Sequence, residues 1–236
     1  MKSLFSCLLL LLATLSLMSQ SRRLYMIPGF GADARSFQYL ALPPGTEPIY
    51  IEYLPIMRHE TMEAYAHRLA TQIDTTQPFS LLGVSMGGML AIEISQFLHP
   101  EQVIIVASAK TEDEVAFRYH LMRYLPLHKI IGDRITRTLS PIGRRLFEPE
   151  GQPWEPLYRQ MIRDKPRHFL TRSVHMISRW KNDTFPAGLI HIHGKIDHTL
   201  PFRNIRNPDY VIAHGGHMMI ISCAGEISQI LASVLK

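Results

Sequence analysis

At 236 residues the chain has the length of one sizeable domain, and its 46% hydrophobic content supports a packed core and excludes a disordered chain or a repeat array. The formal net charge of +5 is local, because positions 110–181 carry 15 Lys/Arg against 8 Asp/Glu while the remainder is slightly acidic. The basic residues there are interleaved with apolar ones at helical spacing, as in FRYHLMRYL at 117–125, so they read as solvated helix faces, with anion binding the alternative. No aromatic-basic motif for nucleic acid accompanies them.

In chain order the first feature is a leader. MKSLFSCLLLLLATLSLMSQS begins with Lys2, runs apolar from Leu4 to Met18 and leaves through Ser19-Gln20-Ser21. That is the layout of a secretory signal peptide over 1–21, and the apolar run is short for a membrane span. It predicts export to the periplasm or the medium, with membrane contact only through an uncleaved leader. Against translocation stand Arg22 and Arg23 directly after it. Met18 also offers an alternative start, for a cytoplasmic protein. Cys7 would leave with the leader and Cys223 alone closes no internal disulfide, so cysteine usage does not choose between the two.

From Leu24 the pattern alternates. LYMI (24–27) is a short buried strand ending in Pro28-Gly29-Phe30-Gly31, and IYIEYL (49–54) is a second. Over 60–73, Met62, Tyr65, Ala66, Leu69 and Ile73 form one stripe at the helical period. FSLLGV (79–84) is a third strand, 86–98 a helix, QVIIVAS (102–108) a fourth strand, and GLIHIHG (188–194) and DYVIAH (209–214) the fifth and sixth. A helix from Ala224 places Ile227, Ile230, Leu231, Val234 and Leu235 on one face. Short apolar strands alternating with helices predict an α/β fold: a mostly parallel sheet of about six strands with helices on both faces. The alternation breaks over 110–183, which is helix-rich, interrupted by prolines and too long for a bare loop. It reads as a helical insertion, leaving 22–109 and 184–236 as the core.

The sharpest motif is Gly83-Val84-Ser85-Met86-Gly87. Alone, G-x-S-x-G is weak, and a helix N-cap serine with incidental glycines explains it as well. At a strand-to-helix junction it has a mechanical meaning. A serine on a very sharp turn projects its hydroxyl above the sheet, and the flanking glycines let strand and helix approach. Such a hydroxyl needs a base and an orienting acid. HIHGKIDHTLP (191–201) supplies Asp197 in the loop after the fifth strand, and VIAHGGHMM (211–219) supplies His217 after the sixth. Parallel strands deliver these loops to one edge, so Ser85, Asp197 and His217 can converge there as nucleophile, acid and base. An oxyanion would find donors in the backbone N–H groups of Met86 and of Phe30, the latter in the loop after the first strand.

Taken together, IPGFG, GVSMGG, HGKIDHTLP and GGHMM resemble the α/β-hydrolase superfamily, from near Leu24 to the C-terminus. The insertion over 110–183 then resembles that superfamily's helical cap, which would set specificity. The chain has Pro28-Gly29 where many relatives carry His-Gly, and only the leader stands where antiparallel strands often precede the first motif. The resemblance implies a cofactor-independent serine hydrolase of the carboxylesterase type, acting on a small-molecule ester or thioester-like bond through an acyl-enzyme on Ser85. The same fold and triad also serve C–C bond hydrolysis, lyase chemistry or, without turnover, ligand binding.

Rival readings centre on the other titratable residues. HIHGKIDH approximates the H-x-H-x-D-H run of binuclear metallohydrolases, but three residues separate His193 from Asp197. His191 and His193 sit in an expected buried strand, where packed and hydrogen-bonded imidazoles are the ordinary outcome, so no metal is assigned. Glu112, Asp113 and Glu114 are the alternative source of the acid. Asp33 reads as a helix N-cap or pocket wall.

Overall fold

The computed structural model describes residues 21–124 and 154–235. The expected leader through Gln20, Cys7 with it, and 125–153 of the expected insertion lie outside the described residues. Among those described, no helix is long and apolar enough to cross a membrane.

Six parallel strands form one sheet in the order β2-β1-β3-β4-β5-β6. They are β1 (Arg22–Ile27), β2 (Thr46–Tyr50), β3 (Phe79–Val84), β4 (Gln102–Val106), β5 (Ile190–Gly194) and β6 (Tyr210–Ile212). The apolar strands are covered on both faces, as the sequence predicts. In β1, Tyr25 and Ile27 point into one core layer with Leu81 and Ile105. Leu24 and Met26 point into the opposite layer with Leu82, Val84 and Ile104. Alternation along each strand feeds both cores, and full burial of Leu81 or Leu82 contributes about 2 kcal/mol each.

Helix α1 (Met62–Leu69) begins where the Thr61 hydroxyl accepts the Ala64 N–H at 3.1 Å, and it buries Met62, Tyr65, Ala66 and Leu69. Helix α2 (Met86–Ser95) follows β3 directly and is buried along nearly its whole length. Its Glu93 carboxylate takes the Trp180 indole N–H at 2.6 Å, and burial raises the Glu93 pKa against the pull of that bond. On the other face lie α6 (Met219–Ser222) and α7 (Ala224–Val234), with Ile227 and Leu231 fully buried. Between β4 and β5 the described residues hold α3 (Phe117–Tyr124), α4 (Glu155–Asp164) and α5 (Phe169–Ser178), and no strand.

Several boundaries differ from expectation: the fourth strand ends at Val106, the sixth spans only Tyr210–Ile212, and the helix after the third strand ends at Ser95. The second strand occupies Thr46–Tyr50 rather than 49–54. Its pairing with β1 runs from Arg22↔Thr46 to Met26↔Tyr50 and finishes with the Ile51 N–H on the Met26 carbonyl at 3.0 Å. Beyond it Ile51 and Ile56 are buried, and Tyr53 and Leu54 pack against the same core, without a partner strand. Apolarity there marks burial, not pairing. Pro48 is tolerated because β2 is an edge strand.

The strand order puts a topological switch between β1 and β3. The chain steps to one side for β2 and crosses back for β3, so the loops after β1 and β3 leave in opposite directions and open a crevice at their carboxyl ends.

Candidate active site

Ser85 stands at that crevice, between β3 and α2, with φ 52° and ψ −119°. A positive φ on a side-chain-bearing residue costs about 1–3 kcal/mol and survives only where neighbours over-determine it. Here the Ser85 N–H donates to the Val106 carbonyl at 3.0 Å. Its own carbonyl accepts the Ser108 hydroxyl at 2.7 Å and the N–H groups of Gly88 and Met89 at 2.9 and 3.2 Å. The flanking glycines are explained by contact. A Cβ on Gly83 would lie 2.3 Å from the Gly87 carbonyl oxygen, and one on Gly87 would lie 2.2 Å from that of Ile27. Strand, helix and first loop therefore meet backbone to backbone around the serine. No side-chain capping bond is made by Ser85, so the N-cap explanation of the motif does not hold.

Asp197 occupies the turn after β5. One carboxylate oxygen, Oδ1, accepts the N–H groups of Thr199 at 2.7 Å and Leu200 at 2.8 Å. The other, Oδ2, lies 2.8 Å from His217 Nδ1. Across the ring, His217 Nε2 lies 2.9 Å from Ser85 Oγ. The imidazole thus bridges carboxylate and hydroxyl, with the Asp197 side chain sealed from solvent and that of His217 13% exposed. The Nδ1 position faces the Asp197 carboxylate, an acceptor, and so carries the proton, which leaves the Nε2 lone pair directed at the serine hydroxyl.

The loop after β1 closes the site from the other side. A Cβ built on Gly29 would come within 3.4 Å of Ser85 Cβ, so this backbone runs alongside the serine. The Tyr53 hydroxyl donates to the Pro28 carbonyl, and the Tyr158 hydroxyl to the Phe30 carbonyl at 3.0 Å. Met86 is the first residue of α2, so its N–H has no acceptor within the helix. Asp33 caps the following 3₁₀ turn through the Arg35 N–H and forms an ion pair with Arg35, which also reaches Asp164 at 2.6 Å.

The other candidates are brought to different places. Glu114 is buried and spends its oxygens on the Lys110 and Arg206 N–H groups at 2.7 and 2.9 Å, while Asp113 pairs with Arg206 at the surface. Neither faces His217. His191 and His193 are both fully buried, and His191 Nε2 lies 3.2 Å from His193 Nδ1. Burial drives the His191 pKa down to about 2 and lowers that of His193. His214, Cys223 and Glu226 bring donor atoms within 4.8 Å of one another, the one such set among the described residues, with His214 Nε2 engaged by the Glu226 carboxylate at 2.9 Å. His198 lines a solvent-open cavity beside the acid loop, together with Arg118, Lys195 and Arg203.

Sequence reasoning did not single out Ser108, Tyr53 or Tyr158. Ser108 lies two residues past the end of β4, at the end of the expected fourth strand, and gave a positional hint. Tyr158 gave none, because nothing local ties it to a loop 128 positions earlier.

A model of the alpha/beta hydrolase family matches residues 24–230. No curated protein matches the chain. Among solved structures it is similar to a lipase-esterase related protein from Clostridium acetobutylicum, at 12% identity and a TM-score of 0.66 over 91% of this chain and 94% of that one. A thermophilic esterase from Thermogutta terrifontis gives 16% and 0.67 over 92% and 90%. An esterase from Exiguobacterium antarcticum gives 19% and 0.61 over 92% of each chain. At these identities the likeness is one of fold.

Proposed function

The chain belongs to the alpha/beta hydrolase family, and from that membership we propose that it cleaves carboxylic esters through an acyl-enzyme on Ser85. The observation that carries this is the single imidazole of His217 lying 2.9 Å from Ser85 Oγ and 2.8 Å from Asp197 Oδ2.

As Ser85 Oγ forms its bond to the ester carbonyl carbon, the hydroxyl proton passes to His217 Nε2. Asp197 stabilises the resulting imidazolium and does not itself take the proton. The carbonyl oxygen becomes an oxyanion held by the N–H groups of Phe30 and Met86, at the loop after β1 and the start of α2. Collapse breaks the bond to the alcohol oxygen, which leaves with the proton from His217. Water then repeats the sequence on the acyl-enzyme and releases the carboxylic acid. The helices between β4 and β5 act as the cover that selects the substrate, supported by the seat of α4 on the oxyanion loop through Tyr158. The esterases among the similar folds support an ester as the bond attacked.

Labelling with a fluorophosphonate probe tests this reading. Wild type should gain one adduct, located at Ser85 by mass spectrometry, and Ser85→Ala should lose both the adduct and about 10⁴-fold or more of kcat on p-nitrophenyl butyrate. An unlabelled wild type, or turnover retained in Ser85→Ala, would overturn it.

A further inference from the structure

His193 is buried one strand position before Gly194, at the end of β5, and the mechanism above makes no use of it. Its Nε2 lies 2.9 Å from the Leu200 carbonyl oxygen and 3.6 Å from Asp197 Oδ2, the oxygen that also faces His217. Both neighbours are acceptors. A bare nitrogen there would set lone pair against lone pair, so the proton resides on Nε2. The other nitrogen, Nδ1, is then an acceptor, and it receives the Nε2–H of His191 at 3.2 Å. Two neutral imidazoles therefore pass their donors in one direction, from His191 to His193 to the acid turn.

From this geometry, and resting on the serine-hydrolase reading, we propose that His193 is a positioning residue that locks the acid turn and orients the Asp197 carboxylate toward His217. Leu200 is gripped on both sides of its backbone, since its N–H donates to Asp197 Oδ1 at 2.8 Å while its carbonyl accepts from His193. The turn is thereby fastened to β5, not only to itself. At 3.6 Å from Oδ2 the His193 N–H is beyond hydrogen-bond reach of the carboxylate itself, so its hold on Asp197, whose side chain is closed to solvent, runs through Leu200. Rotation of that carboxylate would cost it the Thr199 and Leu200 N–H groups on Oδ1 together with the His217 contact on Oδ2. Burial is the larger influence on His193 and holds it neutral against the attraction of Asp197. A cationic His193 would instead compete with the His217 imidazolium for the same oxygen. Phe202, with its ring centroid 6.4 Å away, and His191, at 5.2 Å, pack beside the His193 ring.

The test compares His193→Leu, His193→Gln and His193→Asn in the full chain, by kcat and KM on p-nitrophenyl butyrate, the pH profile of kcat/KM, and the far-downfield proton resonance of the His217–Asp197 hydrogen bond. Gln places an amide N–H near the Nε2 position, whereas Asn places it near Nδ1 and Leu has none. Leu and Asn should lower kcat by about 10- to 100-fold with KM nearly unchanged. Their acid limb should move to lower pH, because a less well-faced imidazolium is a stronger acid, and the downfield resonance should weaken. Gln should recover most of the rate and the resonance. A folded His193→Leu with the wild-type profile would overturn the proposal, as would equal losses in Gln and Asn, which would signify packing alone. If the Leu variant does not fold, the Gln–Asn contrast decides. A wild type that takes no fluorophosphonate fails at the serine reading itself and removes the ground on which this role stands.

Discussion

Ser85 is kept in a conformation that a serine avoids, and two glycines make that possible by having no side chain where backbones touch. The consequence is measurable at a single atom. Gly87→Ala would push a methyl to 2.2 Å from the Ile27 carbonyl oxygen and 2.4 Å from that of Pro28, both backbone atoms that cannot step aside. The expected cost is about 3–5 kcal/mol, at the upper end of single-residue effects, read as a lower urea midpoint or as insoluble protein. Gly225→Ala is the control. It lies in α7 with nothing within 4 Å of the added carbon, and should be neutral or stabilising by up to about 1 kcal/mol. Equal losses in the two variants would mean that glycine matters here for reasons other than contact.

Helix α4 is the element that joins the stretch between β4 and β5 to the site. It meets the loop after β1 through the Tyr158 hydroxyl on the Phe30 carbonyl, Met161 Sδ against the Asp33 N–H at 3.4 Å, and the Arg35–Asp164 ion pair. Tyr158→Phe removes only the first of these. Under the proposed mechanism it should lower kcat by about tenfold, through a looser Phe30 N–H, and change stability by about 1 kcal/mol at most. A loss confined to KM would place Tyr158 in substrate binding instead. This contact also marks where sequence reading stops. The strands were legible because buried parallel strands are short, apolar and evenly spaced. Gly83 to Gly87 was legible because its meaning depends on the adjacent strand and helix alone. Asp197 and His217 could be inferred because parallel topology sends both loops to one edge. Tyr158, Tyr53 and the His191–His193 pairing join positions whose relation exists only after the chain has folded. The early end of β2 was missed for a related reason, since hydrophobicity reports burial and is silent on hydrogen-bond partners.

At the scale of the whole molecule, the imidazoles sealed beneath the acid loop tie stability to pH. His191 has its pKa driven down to about 2 from 6.5, first by burial and then by the neighbouring His193 and Lys110, and His193 is lowered in the same direction. Below pH 6.5 the unfolded chain takes up protons that the native state refuses. Stability is therefore full above that pH and declines as pH falls toward the native values. Each refused proton costs about 1.4 kcal/mol per pH unit, so His191 alone removes about 2 kcal/mol between pH 6.5 and pH 5. Glu93 acts in the opposite sense. Its raised pKa makes the native state the better proton binder just above pH 4.5, so its contribution falls as pH rises through that window. In urea melts, His191→Gln, which keeps a donor toward His193 Nδ1 but does not titrate, should flatten the acid decline by about one proton's worth. If the variant and wild type lose stability in parallel from pH 7 to pH 5, then the buried pair is not what makes this fold sensitive to acid.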